Sequence, residues 1–367
     1  MSTLLTGFPG FVATALLERL LERRPDEEFV CLVERRALDV ARKLVAEFER
    51  RGGGSHDRLR LVEGDITDPV LGLDGAMRQE LAATTQDVFH LAAVYDVSVS
   101  RETASRVNVD GTRHVARFAA SCSRLRRLHH VSSFGVAGHH PGVFTEDDLE
   151  VGQPFRNHYV ESKFEAERLV RDMAAGGLPV TVYRPAYVVG DSHTGATQKY
   201  DGPYFLIRWI LRQPRSLSVV PTVGDPHGTH PNIVPRDFVA DAIAHLAGLE
   251  TSLGTTYQLV DPEPPDLAEL IDLVASATGH RVLRARVPVG PTKWLLGTRV
   301  GGRIAGMPPE VLDYFDHPTL FTCDHTLRDL GGSGIRCPSL ETYLPRLVEF
   351  VRQHPVAPDP AAVMLSS

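Results

Sequence analysis

Thr6-Gly7-Phe8-Pro9-Gly10-Phe11-Val12-Ala13 follows a short apolar run, Thr3-Leu4-Leu5, and leads directly into a helical pattern. A glycine-rich turn between a strand and a helix is the setting in which backbone amides and a helix N-terminus cradle a pyrophosphate. Gly7 permits the tight turn and Gly10 lets the backbone come close to phosphate. The third small position is Ala13, which suits close helix-strand packing but departs from the full glycine fingerprint. A plain strand-to-helix turn is the bland alternative. Thr6, Gly7, Phe8, Pro9, Gly10 and Phe11 are therefore the candidate phosphate contacts. Because the apolar run feeds straight into the turn, the start of the chain is expected to be fold rather than a leader.

Working outward, Phe11 to Arg24 puts Val12, Leu16, Leu17, Leu20 and Leu21 on one stripe, opposite Glu18, Arg19, Glu22 and Arg23, and Pro25 stops the helix. Apolar, β-branched runs recur at Phe29 to Glu34, Leu59 to Val62, Val88 to Ala92, Leu128 to Ser132 and Val180 to Tyr183, with helical patterns between them. That alternation predicts an α/β fold, a Rossmann-type doubly wound parallel sheet with a smaller, mainly helical lobe. The nucleotide-binding unit is expected over 1–190, with 236–261 returning to it through a helix (Arg236 to Leu249) and a strand (Thr256 to Val260). The lobe takes 191–235 and 262–353, ending on a helix from Leu340 to Gln353, and 354–367 reads as a frayed tail.

The chain has 367 residues, 43% hydrophobic and 23% charged, with a formal net charge of -7, which suits a globular protein and argues against nucleic acid as a partner. Cys31, Cys122, Cys323 and Cys337 form no C-x-x-C pair, so a reducing compartment, the cytoplasm, is expected, with neither a disulfide framework nor a thiolate metal site. The histidine pairs 129/130, 139/140 and 227/230 lack acidic or cysteine companions at ligand spacing, and no metal is expected. The apolar stretch around Trp294 is too short for a membrane span and reads as a buried helix or surface lobe.

At the tip of the second strand stand Glu34, Arg35 and Arg36. A carboxylate there suits the ribose 2′-hydroxyl of NAD, and arginines suit the 2′-phosphate of NADP. The two arginines favour NADP, while Glu34 keeps NAD open; both arginines simply solvated is the bland alternative. Asp65 and Ile66, at the tip of the third strand, are candidate adenine neighbours.

Tyr159 and Lys163 lie four residues apart on a predicted helix, so both project from one face. An ammonium beside a phenol lowers the phenol's pKa and makes it a general acid/base. The only lysines are Lys43, Lys163, Lys199 and Lys293, against nine tyrosines, so such a spacing arises by chance only about 0.1 times. Upstream, Ser133 is the candidate hydroxyl for a substrate oxygen, with Ser132 its close competitor. Tyr204, Phe205, Leu206, Trp209 and Ile210 read as core or as an acyl-chain pocket.

TGFPGFVA, the His90-Leu91-Ala92-Ala93 strand end, Val107-Asn108-Val109-Asp110-Gly111-Thr112, the Ser132-Ser133 pair, Tyr159-x-x-x-Lys163 and Tyr183-Arg184-Pro185 together resemble the extended short-chain dehydrogenases/reductases over about the first 190 residues. The stretches 64–73, 184–195 and 232–241 are similar to the thioester reductase and fatty acyl-CoA reductase branch, the male-sterility family. This resemblance implies a nicotinamide cofactor contacted by Leu91, Ala92, Ala93, Pro185 and Val188 as well as Tyr159 and Lys163. It also implies a Ser133/Tyr159/Lys163 set with Asn108 supporting a relay water. The branch usually has arginine where Glu34 stands. The implied activity is NADPH-dependent reduction of a fatty acyl thioester or aldehyde. A sugar-nucleotide epimerase or hydroxysteroid-type dehydrogenase is the alternative enzyme, and a non-catalytic dinucleotide sensor the alternative of another class.

Overall fold

The structure is a computed structural model that describes residues 2–52, 58–96, 98–222, 225–287 and 318–356. The stretch around Trp294 and the tail beyond Val356 lie outside the described residues. Seven strands form one all-parallel sheet: β1 (Ser2–Thr6), β2 (Glu28–Val33), β3 (Leu59–Glu63), β4 (Thr85–His90), β5 (Arg127–Val131), β7 (Val180–Pro185) and β11 (Thr256–Leu259). Their spatial order is β11-β7-β5-β4-β1-β2-β3. Three two-stranded pairs complete the strands among the described residues: β6 (Gly142–Phe144) with β13 (Thr319–Phe321), β8 (Tyr187–Val189) with β10 (Ile233–Pro235), and β9 (Ser218–Thr222) with β12 (Val282–Arg286).

β1, β7 and β11 are buried along their whole length, because helices cover both faces of a parallel sheet. Leu5, Phe29 and Cys31 pack on one face against α1 (Phe11–Arg23), α2 (Leu38–Gly52) and α8 (Arg236–Leu246). Leu4, Val30 and Leu32 pack on the other against α3 (Gly75–Thr84), α5 (Gly111–Ser121) and α6 (His158–Ala175). The short helix α4 (Arg101–Ala104) runs into a π-helical turn, Ser105–Asp110, before α5. The alternation of neighbours along β1 and β2 is the two-residue period of a strand expressed in three dimensions.

A second core joins α7 (Pro203–Leu211), α9 (Leu267–Thr278) and α11 (Leu340–Gln353). Tyr204, Leu206, Ile207 and Ile210 are buried in it, and so are Leu270, Ile271, Leu344 and Leu347. Asp266 starts α9 with a capping box closed by Glu269. The helix α10 (Asp324–Leu330) follows β13. No helix among the described residues is long and apolar enough to cross a membrane.

Candidate active site

Between β1 and β4 the strand order reverses, and at such a switch point the carboxyl ends of parallel strands leave a crevice. A cavity of about 940 Å³ opens there. Gly7 has φ +94° and sits so close to the end of β4 that an added Cβ would lie 2.8 Å from the Ala92 nitrogen. Only glycine meets both conditions. The Gly10 amide donates to the Gly7 carbonyl at 2.7 Å. No side chain among the described residues caps the N-terminus of α1 and no carboxylate occupies its first turn, so its amides and dipole are left for an anion. That donor set fits a dinucleotide pyrophosphate. Gly7, Phe8, Pro9, Gly10 and Phe11 line the cavity, whereas Thr6 is buried behind the turn.

At the other end of the cavity, Arg36 donates to Glu34 at 2.8 Å, and both residues line the wall while remaining exposed. Arg35 turns away toward Glu63, at 3.8 Å, and is not part of the wall. The 3-10 turn Arg35–Ala37 separates the two guanidinium groups. Asp65 and Ile66 line the cavity; one Asp65 oxygen accepts from the backbone and hydroxyl of Thr67, both at 2.8 Å. Leu91, Ala92, Ala93, Pro185 and Val188 complete the expected lining.

Tyr159 and Lys163 come from the first two turns of α6, whose start is fixed by Asn157 accepting from the Val160 amide at 2.9 Å. The Tyr159 hydroxyl hydrogen-bonds Ser133 inside the cavity. Burial pushes its phenol above the ordinary value, against the opposing pull of that hydrogen bond. Lys163 donates to the Val131 carbonyl at 2.8 Å, and burial lowers its pKa to about 8 despite the nearby Glu167 carboxylate. The four-residue spacing predicts that the lysine lowers the tyrosine. Instead, the ammonium is tethered to the end of β5 and desolvation governs both groups.

Both serines lie just past the end of β5 and line the cavity, but their hydroxyls have different partners: Ser132 donates to the buried Glu167 at 2.6 Å, whereas Ser133 accepts from the Gly135 amide at 3.1 Å. Asn108 lies behind the wall, accepting from the Val94 amide at 2.8 Å and donating to the Ser162 hydroxyl at 2.9 Å.

Several wall residues carried no readable signal. The Tyr95 ring meets the Tyr159 ring edge-on, centroids 5.1 Å apart, and carries the Lys199 ammonium 4.9 Å from its own centroid. Arg106, Arg156 and His139 stand on the same wall, with Arg156 and His139 hydrogen-bonded at 2.7 Å. These residues lie in connections or irregular turns, where no periodicity marks a facing direction. Glu167 did carry a signal, since Tyr159, Lys163, Glu167 and Arg171 repeat every four residues. Tyr204, Phe205, Leu206, Trp209 and Ile210 do not line the cavity; Tyr204, Leu206 and Ile210 belong to the second core.

A phosphate-type turn at the switch point of a parallel sheet, with a tyrosine and lysine one helical turn apart across from it, defines an NAD(P)-dependent oxidoreductase of the extended short-chain dehydrogenase/reductase type. A family model described as "Male sterility protein", an NAD-binding domain, matches residues 5–243. The chain belongs to that family. It is 28% identical to the non-canonical nonribosomal peptide synthetase FrzA of Cladobotryum sp, over 95% of the chain and 36% of that protein. It is 28% identical to the aldehyde reductase lnbA of Aspergillus flavus, over 93% of the chain and 33% of that protein. The isonitrile lipopeptide synthase of Streptomyces coeruleorubidus is 30% identical over 92% of the chain and 23% of its own length. The chain thus spans about a third or less of these relatives. Among solved structures, the terminal R domain from the myxalamid PKS-NRPS biosynthetic pathway superposes with a TM-score of 0.81 at 28% identity, covering 98% of this chain and 92% of that one. UDP-glucuronic acid 4-epimerase from Bacillus cereus, at 17% identity and a TM-score of 0.66 over 96% of this chain and 97% of that one, shares the fold.

Proposed function

We propose that this protein reduces a carbonyl compound with NADPH, the substrate being an acyl thioester or the corresponding aldehyde. The observation that carries the reading is the Tyr159–Ser133 hydrogen bond inside the cavity, with Lys163 one turn along the same helix. The names of the aligned relatives, an aldehyde reductase and peptide or lipopeptide synthetases, and of the solved terminal R domain point the same way. In this reading 1–190 and 236–261 hold the dinucleotide, while 191–235 and 262–353 shape the substrate side. The free thiols of Cys31, Cys122, Cys323 and Cys337 suit a reducing compartment such as the cytoplasm.

The turn Gly7 to Phe11 would hold the pyrophosphate, Asp65 and Ile66 the adenine end, and Leu91 to Ala93 with Pro185 and Val188 the nicotinamide side. Arg36 favours NADP, provided it exchanges the Glu34 carboxylate for a 2′-phosphate; NADH remains the competitor through Glu34. When bound, the reduced nicotinamide supplies a hydride. Ser133 and Tyr159 then take the substrate oxygen between their hydroxyls, and Tyr159 releases its proton to that oxygen. The phenol is protonated at neutral pH; burial makes it a weaker acid, so proton release depends on charge stabilisation of the phenolate. Lys163 places a positive charge behind the phenolate that results, and Asn108 anchors the segment on which a relay water would rest.

The experiment is NADPH consumption with a long-chain acyl-CoA and, separately, its aldehyde, with NADH in parallel. Thioester turnover establishes an acyl reductase, and aldehyde turnover alone an aldehyde reductase. Silence on both, with turnover of a sugar nucleotide, hands the site to the epimerase alternative.

Two outcomes follow from the geometry. Ser133→Ala is expected to lower kcat about 10²–10³-fold by removing one donor to the oxygen. Ser132→Ala is expected to cost about 1–3 kcal/mol of stability, by stripping a bond from buried Glu167, with a much smaller effect on kcat. Equal kinetic losses in the two variants would remove Ser133 from its role. In a pH–rate profile, the lowered Lys163 pKa means that its charge disappears as pH rises through about 8. kcat/KM should therefore fall on the alkaline side near that pH, and a profile flat to pH 10 rules out a needed Lys163 ammonium.

A further inference from the structure

His90 ends β4 and is buried, and each of its ring nitrogens meets a threonine hydroxyl: Nδ1 lies 2.8 Å from Thr6 Oγ1 and Nε2 2.9 Å from Thr112 Oγ1. The proton positions follow from what each group can do. Thr112 Oγ1 lies 2.6 Å from the Asn108 carbonyl, which can only accept, so the single hydroxyl proton of Thr112 is spent there. Thr112 must then accept from His90, which places the imidazole proton on Nε2 and leaves Nδ1 an acceptor. Thr6 donates to Nδ1, and its oxygen accepts the Ala92 amide at 3.3 Å. One tautomer satisfies the whole set. Continuing from Asn108, the side-chain amide donates to Ser162, whose hydroxyl donates to the Tyr159 carbonyl at 2.7 Å.

We propose that His90 is a positioning residue that joins the glycine-rich turn to the segment bearing Asn108 and, through Ser162, to the start of the helix bearing Tyr159. The chain of bonds runs from Ala92 and Thr6, which pack against Gly7, to the backbone of the proton donor, and His90 is its one side chain that bonds at both ends across the gap between β1 and α5. Its register partner on β5, His130, is equally buried and stands 5.6 Å away ring to ring, yet neither of its nitrogens has a hydrogen-bond partner among the described residues. The two imidazoles share an environment and differ in connection. His90 holds its neutral form firmly, because burial depresses its pKa to about 3. The linkage therefore persists across the working pH range.

The proposal rests on the dinucleotide and proton-transfer roles given above, so its test separates binding from turnover. The dissociation constant of NADPH is measured by fluorescence without substrate, and kcat for aldehyde reduction at saturating NADPH, with thermal unfolding followed in parallel. His90→Phe keeps the ring and removes both bonds; it should weaken NADPH binding and lower kcat, each about tenfold. His90→Gln, whose amide offers one donor and one acceptor, should restore most of both. Thr6→Val should act mainly on the dissociation constant and Thr112→Val mainly on kcat. His130→Phe should leave the dissociation constant within about twofold of wild type. If His90→Phe does not fold, the two threonine variants decide the matter, and effects from them that do not divide between binding and turnover overturn the proposal. It is also overturned if His90→Phe changes neither quantity, if His90→Gln restores neither, or if His130→Phe mimics the loss. Wild-type protein that binds neither NADPH nor NADH would instead bring down the functional reading itself.

Discussion

Tyr159→Phe is expected to reduce kcat for carbonyl reduction by about 10²–10⁴-fold, the usual contribution of a positioned general acid, while NADPH affinity and thermal unfolding stay near wild type. The phenyl ring keeps the edge-on contact with Tyr95, so packing survives the substitution. What is lost is the hydroxyl that bonds Ser133 and faces the cavity. No other group on that wall, among the described residues, combines a transferable proton with the same hydroxyl partner, so a small loss in kcat points to a different donor, and undiminished turnover ends the mechanism. A variant that binds NADPH normally in a protein that never turned over any carbonyl would support the dinucleotide sensor.

Arg184→Met is expected to cost about 3–5 kcal/mol in urea unfolding, because it leaves a buried carboxylate without its main counter-charge. Arg184 and Glu167 are both fully buried, joined at 2.7 Å through Nη2 and at 3.1 Å through Nε. The same guanidinium donates to the carbonyls of Asp148 at 2.5 Å and Thr145 at 3.3 Å, and lies over the Phe144 ring. Glu167 also receives Arg171 at 3.1 Å and Ser132 at 2.6 Å. Burial alone would raise the Glu167 carboxyl, but Arg184, Arg171 and the Ser132 hydrogen bond together hold the group below its ordinary range. The double variant Arg184→Met, Glu167→Gln should lose less than the single one, since the stranded charge is gone. A single-variant loss under about 1 kcal/mol would show that Arg171 alone suffices as counter-charge.

The strands, the helices and the Tyr159–Lys163 pair were readable because each rests on a local period, two for strands, 3.6 for helices and one helical turn for the pair, and the glycine turn because its glycines stand between a strand and a helix. Strand ends moved by a residue or a few, as with Thr85–His90 against an expected Val88 to Ala92. The direction of Arg35 and Arg36 was not readable, because a 3-10 turn inserted between strand and helix decides which of two adjacent side chains meets the cavity. The fate of Tyr204 and Ile210 depends on α9 and α11, elements that begin more than fifty residues downstream. Pairing of Gly142–Phe144 with Thr319–Phe321 is likewise invisible to a local window, since three residues carry no period. The lysine's tether to Val131 is set by how α6 packs on the end of β5: sequence spacing gives the face of a helix, not the carbonyl it meets.

The last strand of the sheet, Thr256–Leu259, enters some seventy residues after its neighbour Val180–Pro185, and the chain builds part of the second core in between. During synthesis the six buried residues of β7 therefore wait as a bare hydrogen-bonding edge, the kind of surface that pairs with foreign strands and aggregates. A fragment ending at Gly190 would make that waiting state permanent, even though it retains the glycine turn, Ser133, Tyr159 and Lys163. Possession of every site residue would not make such a fragment a usable protein, because the strand that seals the sheet arrives only after the intervening lobe segment.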